Sequence, residues 1–282
     1  PPSHQRDTLV LLPCSAKKPY KLSKSHIRFR RVLRSPCVHE VMVTAPLGLV
    51  PRELEDLWPA AHYDIPVSGE WDADELNVIR SMVRRIVSRV GYSVVINHSG
   101  IGINIEGTSI IDTRQGDSAG SRESLSRLES AVESAVIDSG GQSATVQTRL
   151  EVMMSISRFI HGSDAWLEGA SVIGRPPILT INKDGSQLAK WNPWLGRFSF
   201  SKSSLPMLDE LGVLARVSLR NGIDWAGDIF SSNAESADCS IRSGDELLVF
   251  QGGKLIGSAR AEAPGWEWPR GPGRLARARH RL

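Results

Sequence analysis

The sequence is poor in cysteine, with only Cys14, Cys37 and Cys239 among its 282 residues. Three thiols at uneven spacing provide neither a disulfide framework nor the four ligands of a structural zinc site. A reducing compartment suits such a chain, so we expect a cytoplasmic protein.

Long apolar runs are also missing from the sequence. No segment approaches the roughly 20 apolar residues that a membrane span needs. The polar opening PPSHQRD, followed by the short run TLVLL, does not have the pattern of a signal peptide. We therefore expect no membrane partner.

Acidic residues are absent from two basic stretches. Lys17 to Arg34 contains eight Lys or Arg, and Arg270 to Arg281 contains five Arg. On a chain with a formal net charge of only +3, this clustering predicts a polyanionic partner, and nucleic acid above all. Two solvated basic faces would give the same pattern.

The apolar pattern predicts three domains. Residues 1–142 alternate short buried runs, such as Thr8–Leu12 and Tyr92–Asn97, with helical segments, which is typical of an α/β layer with a parallel sheet. Residues 143–211 read as a small α+β domain with a hairpin at Asp184-Gly185. Residues 212–282, rich in short strands and glycine turns, read as a β-barrel.

Helix ends are marked clearly in the first domain. Ser23 or Ser25 is placed to cap a helix that continues to Arg34. Asp72 and Glu75 form a candidate capping box before a long amphipathic segment. A further helix is predicted over 122–137.

Reactive side chains are concentrated in the segment PCSAKKPYKLSKSH, the Pro13–His26 motif, directly after the first predicted strand. Ligands of open α/β sheets bind at the carboxyl ends of the strands. Cys14 is there either a nucleophile, with a pKa lowered by lysines and a helix N-terminus, or a small buried residue. His26 would move protons or contact RNA, and Lys18 would grip an anion or only add charge. Tyr20 offers a flat face for a base, or belongs to the core.

Other polar residues are predicted near the same edge. Ser23 and Ser25 are better explained as helix caps than as catalysts, and His98 either completes the site or packs. Gly48 would allow close backbone approach. Asp64 and Glu70 are acids near this edge. The candidate substrate-binding residues are therefore Ser15, Tyr20, Ser23, Ser25, Gly48 and His98.

The Pro13–His26 motif closely resembles the signature of the archaeosine synthases, archaeal paralogues of tRNA-guanine transglycosylase. The form Pro-Cys-Ser-x-x-Lys-Pro-Tyr-x-x-Ser-x-Ser-His is complete in it, and Ala45–Asp72 is also similar to that family. The tail ADCSIRSGDELLVFQGGKLIGSARA resembles a PUA domain, and 143–211 is similar to the domain that precedes PUA. The transglycosylase-like barrel that usually comes first in the family is missing, so the chain is a fragment, a split subunit or a complete protein. Transglycosylases hold zinc in that barrel, so the resemblance implies no metal in this chain, and we expect no other cofactor. The α/β layer is also expected to resemble the uracil-DNA-glycosylase fold, which would leave base binding without nitrile chemistry as a further interpretation.

The resemblance implies a transferase that acts on 7-cyano-7-deazaguanine in the D-loop of tRNA. It implies that an amine, from free lysine or from glutamine-derived nitrogen, adds to the nitrile, with Cys14, His26 and Lys18 as catalytic residues. It also implies a separate transglycosylase-like subunit and a radical-SAM partner. The alternative is a non-catalytic PUA-bearing subunit that only binds tRNA. In either case we expect phosphate contacts from the terminal barrel through Arg270, Arg274, Arg277 and Arg279.

Overall fold

The computed structural model describes residues 6–33, 38–63, 71–138, 148–175, 177–268 and 273–282. The chain divides into two compact units, Pro1–Ile156 and Ser157–Leu282. The predicted boundary at 211/212 falls inside the second unit, and the division into three domains stays a prediction.

A five-stranded sheet with the order β3-β2-β1-β4-β5 forms the described part of the first unit, together with helices. Its strands are β1 (Thr8–Pro13), β2 (Val38–Thr44), β3 (Gly48–Pro51), β4 (Val94–Asn97) and β5 (Ile110–Asp112). The helices are α1 (Lys24–Val32), α2 (Ala73–Val90), α3 (Arg122–Asp138) and α4 (Thr148–His161).

Strand direction places the Pro13–His26 motif at the carboxyl edge of this sheet. β1 pairs in parallel with β2 on one side and with β4 on the other, and β4 pairs in parallel with β5. β3 runs antiparallel to β2, with Thr44 opposite Gly48. The expected parallel layer therefore has an antiparallel edge strand, which the sequence pattern did not predict.

Both faces of the sheet are covered, because alternate residues of β1 enter different cores. Val10 and Leu12 pack with Phe29 of α1 and Leu128 of α3. Leu9 and Leu11 pack on the other face, with Ile79, Val83 and Val87 of α2. Strands buried on both faces need continuous apolar runs, as TLVLL has. No comparison tests the expected likeness to the uracil-DNA-glycosylase fold, which stays a prediction.

The predicted helix caps are confirmed. The Ser23 side chain accepts a hydrogen bond from the backbone N–H of His26 at 3.1 Å, so Ser23 and not Ser25 caps α1. The Asp72 carboxylate accepts from the Glu75 N–H at 2.7 Å, and the Glu75 carboxylate accepts from the Asp72 N–H at 3.2 Å. Both caps satisfy N–H groups that the first helical turn leaves without partners.

A four-stranded antiparallel sheet, β6-β7-β8-β9, opens the second unit after α4. The predicted hairpin is confirmed, because Lys183 pairs with Ser186 across Asp184 and Gly185, which both have positive φ, 49° and 75°. Positive φ at both turn residues is the type I′ geometry that matches strand twist. The strands are β6 (Ser171–Ile173), β7 (Leu179–Lys183), β8 (Ser186–Asn192) and β9 (Arg197–Phe200), and α5 (Leu205–Glu210) follows.

A six-stranded sheet, β11-β15-β14-β13-β10-β12, forms the rest of the second unit. Every strand contributes to one core, through residues such as Val217, Ile229, Leu247 and Leu275. The two edge strands, β11 and β12, are joined by only residues 231–233, so the sheet curls until its edges approach each other, as in a small barrel. The strands are β10 (Arg216–Leu219), β11 (Ile229–Phe230), β12 (Ala234–Ala237), β13 (Glu246–Gln251), β14 (Lys254–Ala261) and β15 (Arg274–Arg281).

Candidate functional site at the carboxyl edge of the first sheet

Cys14 follows β1 directly and is partly buried against the core that contains Tyr20 and Phe29. Burial raises the pKa of its thiol, because a thiolate loses its hydration there. The ammonium of Lys18 acts in the opposite direction and lowers this pKa, but by less. The expectation of a thiol activated by a lowered pKa was therefore wrong for this arrangement, and Cys14 is held mainly as a neutral thiol.

Lys18 lies over the ring of Tyr63, with 3.7 Å between Nζ and the ring centroid. A cation at this distance is attracted by the electron-rich face of the ring. Tyr63 was not singled out from the sequence, although it lies inside the Ala45–Asp72 segment that resembles the archaeosine synthases. The contact fixes the charge of Lys18 beside the cysteine.

Two tyrosine hydroxyls and a threonine hydroxyl form a relay next to Cys14. The Tyr63 hydroxyl is hydrogen-bonded to the Tyr20 hydroxyl and, at 2.6 Å, to Oγ1 of Thr44, the last residue of β2. Cys14 and Tyr63 both pack against the core that contains Tyr20, and a thiolate at Cys14 would raise the pKa of both tyrosines. The relay can hold and pass a proton at the carboxyl ends of two neighbouring strands.

Tyr20 is completely buried, with 0 % of its surface exposed. Its ring therefore has no open face on which a base can stack, which corrects that prediction. Burial also raises the pKa of its hydroxyl. Tyr20 contributes to the site through its hydroxyl, which is bonded to Tyr63.

His26 is also fully buried, and both of its ring nitrogens have partners. Nε2 donates to the carbonyl oxygen of Pro13 at 3.0 Å, and Nδ1 accepts from Nη2 of Arg52 at 3.0 Å. Since a guanidinium only donates, this pattern fixes the neutral tautomer. Burial and the charge of Arg52 lower the pKa of His26 to about 3. The geometry thus gives His26 a positioning role at the residue before Cys14, and proton transfer by His26 stays a prediction without geometric support.

Arg52, a residue that sequence reasoning missed, connects this histidine to two carboxylates. It forms ion pairs with Glu40 of β2 at 2.7 Å and with Glu55 at 3.0 Å, all of them largely buried. Glu55 also accepts from the backbone N–H of Lys21 at 2.8 Å. The network ties the turn before α1 and the end of β1 to the neighbouring strand.

The serines of the motif serve local structure. Ser23 is the cap of α1, and the Ser25 hydroxyl lies 3.0 Å from the Ser23 hydroxyl. The Ser15 hydroxyl donates to the carbonyl of Lys17 at 3.0 Å, within the same turn. Binding of substrate by these three serines stays a prediction.

Gly48 lies opposite Thr44 of the hydroxyl relay in the β2–β3 pair, whereas the contacts of His98 are with residues outside the thiol cluster. Gly48 has φ +71°, and a Cβ on it would collide with Sδ of Met82, so the space beside it is filled by a side chain of α2. His98 is buried, with Nδ1 2.7 Å from Oγ1 of Thr113 and Nε2 donating to the carbonyl of Ala119 at 2.8 Å. Burial lowers its pKa. These contacts make His98 a packing residue, which is one of the two interpretations that the sequence left open.

The arginines expected to bind phosphate on β15 already have acidic partners. Arg274 pairs with Asp228 at 2.9 Å and with Glu262 at 2.6 Å, and Arg277 pairs with Glu262 at 3.2 Å. Arg279 pairs with Glu246 at 3.5 Å. These charges are compensated within the protein, which weakens their assignment to RNA. Arg270, Cys37, Asp64 and Glu70 lie outside the described residues.

Metal ligands do not converge in the structure. Across the described ranges, no group of three or more His, Cys, Asp or Glu side chains is arranged to hold a metal ion. The same residues include no helix long and apolar enough to cross a membrane.

Comparisons with known proteins show which proteins this chain resembles. Residues 2–132 match the family described as Domain of unknown function (DUF5591). The archaeosine synthase of Haloferax volcanii is 31% identical over 92% of this chain and 46% of its own length. The archaeosine synthase subunit alpha of Methanosarcina acetivorans is 32% identical over 93% of this chain and 44% of its own. Over nearly its whole length, this chain is therefore similar to part of the archaeosine synthases.

The chain spans about half the length of the curated archaeosine synthases that it matches. The crystal structure of AF0587, a protein of unknown function, has the same fold, with a TM-score of 0.74 and 23% identity over 98% of this chain and 94% of that one.

Proposed function

We propose that this chain adds an amine to the nitrile of 7-cyano-7-deazaguanine in tRNA. The observation that carries the proposal is the cluster at the end of β1, in which Cys14, Lys18 and Tyr20 of the complete Pro13–His26 motif meet Tyr63. Nitriles react with amines only when their nitrogen receives a proton or a hydrogen bond as charge develops on it. A thiol beside a hydroxyl relay supplies both a nucleophile and a proton donor.

The covalent route begins with the neutral thiol of Cys14, the form that burial favours. The sulfur forms a bond to the nitrile carbon, and the thiol proton passes, through the relay of Tyr63 and Tyr20, to the nitrile nitrogen, giving a thioimidate. The neutral amine of lysine then attacks the same carbon. The C–S bond breaks, and the sulfur regains a proton from the amine, leaving an amidine. Overall an amine N–H adds across the triple bond, and no electron acceptor is needed.

A direct route uses the same residues differently. The amine attacks the nitrile carbon while the Tyr63 hydroxyl donates to the nitrogen, and Cys14 only packs. The raised pKa of Cys14 favours this version over one that needs a thiolate. Lysine is our first choice of donor in both routes, and glutamine-derived nitrogen is the alternative.

The name of one relative, archaeosine synthase subunit alpha, implies an enzyme of more than one subunit. We propose that this chain also acts with a partner subunit, and that a transglycosylase-like barrel, in whichever chain carries it, completes the enzyme. A radical-SAM partner would then convert the lysine adduct. We further propose that the six-stranded sheet of the second unit is a PUA-type domain that binds RNA.

RNA phosphates have a better match on α1 than on β15. Lys24, Arg28 and Arg31, at helical positions i, i+4 and i+7, are exposed, and none has an acidic partner among the described residues. Trp58 follows Asp56 by two residues, and Asp56 forms an ion pair with Lys21 in the turn before α1. With 77 % of its surface exposed, Trp58 offers the stacking face that Tyr20 lacks.

A non-catalytic subunit that only docks tRNA is the second candidate. The raised pKa of Cys14 favours it. It shares the α1 surface with the first candidate but requires no chemistry at Cys14.

The experiment that separates the two supplies tRNA bearing the nitrile base, free lysine and any missing subunit, and measures the nucleoside product by mass. For the covalent route, Cys14→Ala should lose activity by at least about 10²-fold. Cys239→Ala, an exposed cysteine of the second unit, is the matched control and should keep full activity. A Cys14→Ala protein within about threefold of wild type would remove the covalent role. Absence of the mass shift in every combination would leave the docking subunit.

A further inference from the structure

A groove separate from the thiol cluster lies between α2 and the loop that follows β4. It has a volume of about 690 Å³ and is lined by Asn77, Arg80, Arg84, Gly102, Ile103 and Asn104. The loop follows the carboxyl end of β4, the side on which open α/β sheets bind ligands.

The loop wall of the groove is held in place by local hydrogen bonds. The Asn97 amide donates to the carbonyl of Ile101 at 2.8 Å, and its oxygen accepts from the hydroxyl of Ser99 at 2.7 Å. Arg80 reaches across from α2, and its Nε donates to the carbonyl of Gly102 at 2.9 Å. The groove is therefore formed before any ligand arrives, and one arginine is already oriented in it.

Positive charge in the groove is not compensated by the protein. Residues 76–90 of α2 contain four arginines and no acid. Within the described parts of the chain, neither Arg80 nor Arg84 pairs with a carboxylate. Other arginines of the first unit do, such as Arg52 with Glu40 and Arg127 with Asp117. An anion from outside is thus the missing partner.

We propose that this groove binds a backbone phosphate of RNA, an inference that rests on the proposed tRNA substrate. Arg80 and Arg84 are four residues apart, so their side chains are neighbours on one face of the helix. Two planar guanidiniums can share the oxygens of one phosphate through charge-assisted hydrogen bonds. Asn77, one turn earlier on the helix, adds a neutral donor.

A second groove of about 360 Å³ adjoins the first and shares Gly102, Ile103 and Asn104 with it. Its other walls include Thr108 and Asp112. The carboxylate of Asp112 repels phosphate, so the anion is confined to the arginine side. The second groove has room for the sugar and base attached to that phosphate. A free inorganic anion would leave this space unused, so the pair of grooves fits a nucleotide of RNA better.

The test compares two neighbouring arginines of α2. Arg84→Gln and Arg85→Gln remove the same charge from adjacent exposed positions, but Arg85 does not line the groove. Binding of an unmodified tRNA transcript to the 282-residue chain is measured over a range of salt concentrations. We expect Arg84→Gln to raise the Kd about fivefold and to reduce the salt slope by about 1, and Arg85→Gln to change the Kd by less than about twofold. Arg84→Lys should lose less tRNA affinity than Arg84→Gln, because lysine keeps the positive charge but lacks the planar guanidinium that can bind two phosphate oxygens at once.

Equal effects of the two substitutions would show general electrostatic attraction and overturn the proposal. A loss of inorganic phosphate binding in Arg84→Gln with unchanged tRNA binding would also overturn it, in favour of a small-anion site. The transcript carries no nitrile and no amine is present, so the result is independent of the proposed chemistry. Failure of that chemistry would appear only in the product assay.

Discussion

The hydroxyl of Tyr20 is hydrogen-bonded to the hydroxyl of Tyr63, a residue 43 positions later in the chain. This bond joins the Pro13–His26 motif to the segment after β3. Because Tyr63 also contacts Thr44 and lies under Lys18, it is the residue through which both ends of the site meet.

Tyr63→Phe should weaken both stability and activity. It leaves the fully buried Tyr20 hydroxyl without its partner, which costs about 1–3 kcal/mol of the free energy of unfolding. It also removes the proposed proton donor, so product formation should fall by about 10²-fold at saturating amine. Denaturant unfolding and the mass assay check the two effects. Full activity in a folded Tyr63→Phe protein would exclude the hydroxyl from the chemistry.

Alkylation of Cys14 by iodoacetamide should become fast only at alkaline pH, because burial raises the pKa of the thiol. Lys18→Met should move the rise to still higher pH, since the Lys18 charge lowers that pKa. Lys17→Met removes the same charge from the neighbouring, exposed residue and should shift the curve less. The rate at Cys14 is followed by peptide mapping. A Cys14 curve that does not respond to Lys18→Met would contradict the electrostatic contact.

His26 should make the first unit sensitive to acid. Its pKa in the folded protein is about 3, below its ordinary value of 6.5, so the unfolded chain binds the extra proton as the pH falls below 6.5. The stabilisation is complete above pH 6.5 and is lost towards pH 3, at about 1.4 kcal/mol per pH unit. Glu53 and Glu55 have raised pKa values, so they add stability as the pH falls. Their contribution is the same in wild type and in a His26 variant, and it cancels when the two are compared.

The matching measurement is denaturant unfolding of wild type and His26→Gln between pH 7 and pH 4. The variant should be less stable at neutral pH, because the bonds to Pro13 and Arg52 are disturbed. The difference in stability should shrink as the pH falls. Parallel stability curves for the two proteins would show that His26 is not held neutral.

Gly48→Ala should destabilise the first unit by about 1–3 kcal/mol, from a non-glycine residue at positive φ and a clash with Met82. Met82→Ala removes the clash but not the backbone strain. Gly48→Ala should therefore destabilise the Met82→Ala protein less than it destabilises wild type. Thermal unfolding of the four proteins gives the coupling between the sites. Strict additivity would mean that Met82 does not occupy the space beside Gly48.

Neutralising α1 should affect tRNA binding differently from neutralising β15. Arg28→Gln with Arg31→Gln should weaken binding and lower the salt slope by about 1 to 2, because both charges are uncompensated. Arg274→Gln with Arg277→Gln changes the net charge equally but breaks pairs with Asp228 and Glu262. We expect its salt slope to stay near that of wild type. If the β15 double variant changed the salt slope more than the α1 double variant, the phosphate contacts would have to be assigned to β15.

Local signals in the sequence determined much of the secondary structure. The Ser23 cap, the capping box of Asp72 and Glu75, and the turn at Asp184-Gly185 all depend on contacts within about four residues. The Pro13–His26 motif also determined where the candidate site lies, since it follows a strand that ends at the carboxyl edge of the sheet.

The state of each site residue was decided only by the tertiary structure. The pKa of Cys14 depends on how deeply the thiol is buried, and the role of His26 depends on Arg52, which β2 and β3 bring to it. Whether a lysine or arginine is available to RNA depends on acids elsewhere in the chain, such as Glu262 opposite Arg274. Desolvation and ion pairing act between residues that are distant in sequence and close in space. Spacing along the chain therefore predicts which residues reach an edge, and only packing sets their charge and their partners.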